Sequence, residues 1–126
     1  MEHWVKVLVL TLGGALGVNA RYWLGDWVSR WASPMFPWAT FTINMTGSFA
    51  IGLCAVLLGR WFPHPHLRLL VIVGFLGGYT TFSSFEWETF SLMKDGARWL
   101  GLINIVGSVV LGYAAVWLGS ILTGKR

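Results

Sequence analysis

Four long apolar segments restrict this chain to very few folds. Hydrophobic residues make up 56% of its 126 residues and charged residues only 11%, whereas soluble domains carry about 25% charged residues. A helix needs about 20 apolar residues to cross a bilayer, and the apolar segments cover residues 5–27, 38–58, 69–93 and 99–122. The sequence therefore predicts an all-α membrane protein, a single domain over residues 1–126 with four transmembrane helices.

Charge and tryptophan placement agree with this prediction. The formal charge of +4 does not indicate nucleic-acid binding, because the basic residues stand singly at segment ends rather than in one patch. Tryptophan rings settle among lipid headgroups, and seven lie at or near predicted span ends: Trp4, Trp23, Trp27, Trp31, Trp38, Trp61 and Trp99. Four spans do not easily surround a pore unaided, so we expect an oligomer.

The third apolar segment is interrupted by a run of glycine and hydroxyl residues between Gly74 and Phe85. Gly77 and Gly78 each cost a helix about 1 kcal/mol relative to alanine, and serine and threonine side chains compete for backbone hydrogen bonds. In hydrocarbon, a broken backbone is tolerated only where protein or water pairs the freed groups. We therefore predict a break at membrane depth and an ion or substrate site beside it, as in discontinuous transporter helices.

The side chains near the predicted break suit a small hydrated anion. Phenyl rings have positive edges, so Phe82 and Phe85 can solvate an anion weakly without trapping it. Hydrogen-bond donors come from hydroxyls and one amide: Thr81, Ser83, Ser84, Ser108 and Asn44. No lysine and no cluster of acids occurs here. An ordinary helical packing pair is the alternative for the two phenylalanines, and an interhelical hydrogen bond is the alternative for Asn44.

Three other features each have two interpretations. Freed carbonyl oxygens around Gly77 and Thr80 could hold a cation such as sodium across a dimer axis, or ordered water. Arg21 either extends to the membrane interface or faces a water-filled vestibule that attracts anions. A third feature is a set of residues spaced by four, which could form a packing seam or a polar track: Asn104, Ser108 and Gly112.

Two smaller predictions concern helix contacts and caps. Three glycines give the first segment a flat surface for close helix packing: Gly13, Gly14 and Gly17. Carboxylates are favoured in the first turn of a helix. We therefore expect Glu86 to cap the helix that restarts after the break, and the role of Glu88 stays open.

The positive charges show little preference for either side of the membrane. One side would carry five basic residues: Lys6, Arg60, Arg68, Lys125 and Arg126. The other would carry three: Arg30, Lys94 and Arg98. Because this positive-inside bias is weak, we hypothesise that the chain inserts in both orientations and pairs antiparallel.

The motifs resemble those of one known family, the Fluc (CrcB) fluoride channels. The run from Gly74 to Phe85, followed by Glu88, closely resembles the family's third-span signature. First- and second-span motifs are similar as well: Gly13-Gly14-Ala15-Leu16-Gly17 with Arg21-Tyr22, and Thr40 with Asn44, Gly47, Ile51 and Gly52. Some members carry a tyrosine and a second serine where this chain has Asn104 and Gly112. The resemblance extends over essentially the whole chain.

The resemblance implies a dual-topology homodimer with two antiparallel fluoride pores and a structural sodium ion at its centre. It implies that Gly77 and Thr80 coordinate sodium through their carbonyls. By position, one set of residues resembles the pore lining of the family: Phe82, Phe85, Asn44, Ser83, Ser84 and Ser108. Arg21 would mark a vestibule.

The leading functional prediction is a channel through which fluoride leaves a prokaryotic cell passively across the plasma membrane. A small proton-coupled multidrug exporter is the alternative, but it needs a carboxylate deep in the first span, where Asp26 near the end is the only acid. The apolar segments contain no Cys-His, Ser-His-Asp or metal-ligand pattern of the kind enzymes use.

Overall fold

The structure, a computed structural model, describes residues 2–124, and every regular element in that range is helical. The helices are α1 (Glu2–Trp31), α2 (Trp38–Arg60), α3 (residues 65–79), α4 (Phe82–Lys94) and α5 (Arg98–Gly124). Four segments are long and apolar enough to span a membrane, the third formed by α3 and α4 together. The prediction of four transmembrane helices is confirmed. Lys125 and Arg126, which entered the charge count, lie outside the described residues.

The helices extend beyond the apolar segments at most of their ends. Helix α1 has 30 residues, which corresponds to about 45 Å and exceeds the roughly 30 Å hydrocarbon core of a bilayer. Its two ends carry exposed ion pairs between residues four apart, Lys6 with Glu2 and Arg30 with Asp26. Such charged ends belong in the headgroup region, where water and lipid phosphates solvate them.

The third span is broken within the predicted run from Gly74 to Phe85, at two of its hydroxyl residues. Thr80 and Thr81 adopt extended backbone conformations, with φ and ψ of −79° and 157°, and of −149° and 113°. Gly77 remains helical, with φ −64° and ψ −37°. Helical backbone continues through Gly77 and Gly78 to Tyr79, so the break falls on the hydroxyl residues of the run and not on its glycines.

The glycines of α3 serve close packing against α1 instead. A methyl group at Gly78 would lie 2.8 Å from the Gly14 carbonyl oxygen, and one at Gly74 would lie 3.0 Å from the Gly13 Cα. Gly17 has even less room, because a methyl group there would overlap the carbonyl oxygen of Phe75. The predicted flat glycine surface on α1 is thus the contact with α3.

A π-helix occupies Leu69–Leu76, the central part of α3. It follows a short α-helical turn, Pro65–Arg68, and leads into the last turn, Gly77–Tyr79. The sequence pattern gave no indication of it. Most π-helices are single-turn bulges, frequently at functional sites, so eight residues is a long example.

Helices α2 and α5 form the second close-packed pair. Methyl groups at Gly52 and Gly119 would overlap the carbonyl oxygens of Val116 and Phe49, respectively. Gly112 faces the side chain of Met45 at a distance that leaves room for ordinary contact. For Gly112, the packing seam is therefore the interpretation that the geometry favours.

Candidate functional site

The break in the third span is held by the side chain of Asn44 on α2. Its Nδ2 donates to the Thr81 carbonyl oxygen at 3.0 Å, and its Oδ1 accepts from the Thr81 amide at 2.9 Å. One amide side chain thus pairs both backbone polar groups of an extended residue, as membrane burial requires. Asn44 makes the interhelical hydrogen bonds that were one of its two predicted roles.

Four carbonyl oxygens lose their helical partners at the break, those of residues 77 to 80. In a continuous α-helix the Thr81 amide would donate to Gly77 and the Ser84 amide to Thr80. Here the Thr81 amide donates to Asn44, and the Ser84 amide donates to Thr81 Oγ1 at 3.3 Å. The freed carbonyls include those of Gly77 and Thr80, the two predicted to coordinate sodium, together with those of Gly78 and Tyr79.

Arg21 on α1 extends toward the same place. Its Nη1 donates to the Thr80 carbonyl oxygen at 3.3 Å, and the residue is partly buried. The guanidinium therefore points toward the interruption of the third span. The vestibule role of Arg21 stays a prediction.

Helix α4 is capped by Thr81 rather than by a carboxylate. The Thr81 hydroxyl accepts from the Ser84 amide and donates to Ser84 Oγ at 3.0 Å. Glu86 lies exposed beyond these first residues, so the expected capping role for Glu86 was wrong. Glu86 lies past the first turn of α4, and the Ser84 amide is already paired by the Thr81 hydroxyl.

Glu88 takes part in a contact between α4 and α2. Its Oε1 accepts from the Thr40 hydroxyl at 2.8 Å, and Thr40 is buried. Its other oxygen, Oε2, is buried without a hydrogen-bond partner among the described residues. Thr40 belonged to the second-span motif, but the sequence gave no signal that it would pair with a carboxylate 48 positions away.

A cavity of about 370 Å³ adjoins the break. It is an open groove between α2, the two halves of the third span and α5. Seven of the residues predicted to form the pore or the sodium site line it: Asn44, Gly77, Thr80, Thr81, Phe82, Phe85 and Ser108. The structure therefore brings together residues from three of the four spans.

A second cavity, of about 430 Å³, lies on the other side of Thr81. Arg21, Thr40 and Ser84 line it, and Thr81 lines both cavities. Because Thr81 gives its own proton to Ser84, the proton of the Ser84 hydroxyl is free to point into this cavity. Ser83 is exposed and lines neither cavity.

The two phenylalanines differ sharply in burial. Their ring centroids lie 5.8 Å apart with planes tilted by 46°. Phe85 is only 6% exposed, whereas Phe82 is 74% exposed on the described chain. The two rings contact each other as neighbours on one helix. The Phe82 ring is the exposed one, open to lipid or to another protein surface.

Asn104 on α5 is the most deeply buried polar residue of the described chain, with 1% exposure. Its Nδ2 donates to Thr89 Oγ1 at 2.9 Å, and its Oδ1 accepts from the Ser108 hydroxyl at 3.2 Å. Asn104 lies behind the first cavity and Ser108 on its wall. Of the predicted polar track, only Ser108 reaches the cavity.

Comparisons with known proteins identify the family of this chain. Residues 8–120 match the family described as CrcB-like protein, Camphor Resistance (CrcB). A curated relative from Solibacter usitatus, named Fluoride-specific ion channel FluC, is 53% identical over 122 residues, covering 96% of this chain and 100% of that protein. Proteins of the same name from Rhizobium leguminosarum bv. trifolii and Hydrogenovibrio crunogenus are 45% and 42% identical, over 91% and 98% of this chain and 93% and 94% of theirs.

Proposed function

The chain belongs to the CrcB family, and from that membership we propose that it is a fluoride-selective channel through which fluoride leaves the cell. The observation that carries the proposal is the 53% identity, over nearly the whole chain, to a relative named as a fluoride-specific ion channel. The relatives are bacterial and the chain has four membrane-spanning helices. It is therefore a multi-pass protein of a prokaryotic plasma membrane.

The two cavities supply the donors that an anion needs. Asn44 uses one N–H of its amide on Thr81 and keeps a second for an ion in the first cavity. In the second cavity, the Ser84 hydroxyl and the Arg21 guanidinium likewise have hydrogen-bond donors available to an ion. Thr81 borders both cavities, so in the proposed path the ion moves past Thr81 from one set of donors to the other.

The phenylalanine pair supplies weaker solvation on the same path. Ring edges attract an anion without a full charge, so the ion is held loosely enough to leave. Phe85 lines the cavity from its buried position, and Phe82 forms the exposed rim. A complete wall around the ion then requires a second surface opposite Phe82.

A second copy of this chain is the surface that we propose. The first cavity is open on one side, and Gly77 and Phe82 beside it are exposed. An antiparallel homodimer would close each cavity and give two pores, consistent with the weak charge bias. We expect tags on both termini to be labelled from both sides of intact vesicles. Labelling from one side only would refute dual topology.

A structural sodium ion at the dimer centre fits the residues present. The carbonyls of Gly77 and Thr80 lack their helical donors, and a carbonyl oxygen has two lone pairs, so Thr80 can accept from Arg21 and still face a cation. Backbone oxygens are suitable ligands for a hard cation. The positive charge of the ion would attract carbonyl oxygens at the breaks of both chains and so hold the chains together. Each chain would contribute only some of the ligands of the ion.

Passive efflux is sufficient for the proposed role. Fluoride accumulates inside a cell because its neutral acid leaks in and dissociates, so a downhill exit relieves toxicity. The experiment is an ion-selective electrode recording of fluoride efflux from liposomes that contain the purified protein. We expect fluoride to leave and chloride to pass poorly. Comparable chloride and fluoride currents would refute the proposal.

The phenylalanine pair offers a test of the path itself. Phe82→Ile and Phe85→Ile remove the ring edges while keeping apolar bulk, and each is expected to lower fluoride efflux by roughly tenfold or more. Phe90→Ile on the same helix is the control, because the exposed Phe90 ring lines neither cavity. Unchanged efflux in both test variants, with intact dimers, would remove the phenylalanines from the path.

The structure does not favour the proton-coupled exporter. Asp26, the acid that such a mechanism would use in the first span, is partly exposed and paired with Arg30 near the end of α1. The relatives of this chain are named as ion channels, a class of protein distinct from enzymes.

A further inference from the structure

We infer that Asn104 controls the direction in which the Ser108 hydroxyl presents its proton, and thereby how tightly the first cavity binds fluoride. The inference rests on the proposed function and names a positioning residue for it. Asn104 does not touch the cavity. It acts through Ser108, which does.

Thr89 fixes the direction of the hydrogen bonds that link it through Asn104 to Ser108. Thr89 Oγ1 lies 2.8 Å from the Phe85 carbonyl oxygen, and a carbonyl has no proton to give. Thr89 therefore donates there and can only accept from its other neighbour, Asn104. Hence the Asn104 amide nitrogen faces Thr89, and its oxygen faces Ser108.

This direction determines what Ser108 offers to an ion. Its hydroxyl has one proton, and that proton goes to Asn104 Oδ1. Toward the cavity, Ser108 presents oxygen lone pairs, which do not attract an anion. To donate to fluoride, the hydroxyl must rotate away from Asn104.

Rotation carries a cost that depends on Asn104. Because Asn104 is 1% exposed, its oxygen would be left without a partner and without water. That penalty is comparable to the gain from one new hydrogen bond. In the native chain, the Ser108 hydroxyl therefore adds little to fluoride affinity, which favours release of the ion.

The experiment is a double-mutant cycle between Asn104 and Ser108, read as the fluoride concentration at half-maximal conductance in planar bilayers. Asn104→Leu removes the acceptor without admitting water, and Asn104→Met is a second variant with a more adaptable side chain. Ser108→Ala removes the hydroxyl. Each variant is first checked for assembly by gel filtration.

We expect Ser108→Ala to weaken fluoride affinity by less than about threefold in the native chain and by roughly tenfold in the Asn104→Leu chain. Asn104→Leu alone should tighten affinity by about threefold to tenfold. The matched control is Ser120→Ala, which removes a hydroxyl on the same helix that bonds to the Trp117 carbonyl oxygen and lines neither cavity. It should leave fluoride affinity unchanged both in the native chain and in the Asn104→Leu chain.

Two results would overturn the inference. A loss of tenfold or more from Ser108→Ala in the native chain would mean that the hydroxyl already donates to the ion, whether or not the Asn104 variants assemble. Equal effects of Ser108→Ala with and without Asn104 would mean that the two residues act independently. Neither result touches the proposed function, which fails if the native protein conducts no fluoride or conducts chloride comparably.

Discussion

At the scale of single residues, Asn44 has the largest structural task in the third span. Its amide pairs both backbone polar groups of Thr81, and a leucine there would leave both unpaired inside the membrane. A buried, unpaired donor or acceptor costs about 1–3 kcal/mol. The side chain that lines the cavity is thus also the one that keeps the break in shape.

We expect Asn44→Leu to lower the free energy of unfolding by about 2–4 kcal/mol and to abolish fluoride efflux, because Thr81 and Ser84 would lose their positions. Thermal unfolding in detergent and liposome efflux measure the two effects. Asn19→Leu is the matched control, since the exposed Asn19 bonds only to the Ala15 carbonyl of its own helix. Equal destabilisation by both substitutions would contradict the role given to Asn44.

Residue-level roles were only partly predictable from sequence. Polar residues in apolar segments were expected to be functional or paired, and Asn44, Thr81 and Ser108 all line the first cavity. Which residue would unwind was not predictable from helix propensity. Gly78 stayed helical in close packing against α1, while Thr81 unwound because Asn44 offers its backbone an alternative partner. Tertiary contacts outweighed propensity in both cases.

At the scale of helices, contacts between glycines set the distances between spans. Helix α1 approaches α3 so closely that an added methyl group at Gly17 would overlap the Phe75 carbonyl. Backbones can meet at this distance only where side chains are absent. This pattern was visible in the sequence for α1, whereas the π-helix of α3 was not, since no periodicity or composition in Leu69–Leu76 distinguishes it from an ordinary apolar helix.

We expect Gly17→Ala to destabilise the fold by about 2 kcal/mol or more, because the backbone of Phe75 cannot move aside as a flexible side chain could. Gly59→Ala should instead be neutral or stabilising by up to about 1 kcal/mol, since nothing lies within 4 Å of a methyl group there. Unfolding of both variants in detergent gives the comparison. If Gly17→Ala were as stable as Gly59→Ala, the close contact between α1 and α3 would be refuted.

At the scale of the whole molecule, the described chain leaves one side of its functional cavity open. Gly77, Phe82 and the cavity itself face outward together. This combination could not be foreseen from the sequence, because burial in a membrane protein depends on which faces meet lipid and which meet protein. The proposed dimer accounts for all three.

We expect Gly77→Val to prevent dimer assembly while leaving each chain folded. Within one chain, a methyl group at Gly77 makes only an ordinary contact, 3.9 Å from the Ile72 carbonyl oxygen. A defect would therefore arise between chains, at the proposed sodium site. Cross-linking in membranes and circular dichroism measure assembly and folding, with Gly107→Val as the control in open space. A normally assembled Gly77→Val dimer would exclude Gly77 from the interface.

The unwound pair of threonines has a further electrostatic consequence. Each helix end carries about half an elementary charge, positive at the amino end and negative at the carboxyl end. Interrupting one span between Tyr79 and Phe82 creates one end of each sign within a few ångströms. A single segment can thereby stabilise a cation at the end of α3 and an anion at the start of α4, although no acidic or basic side chain lies between them.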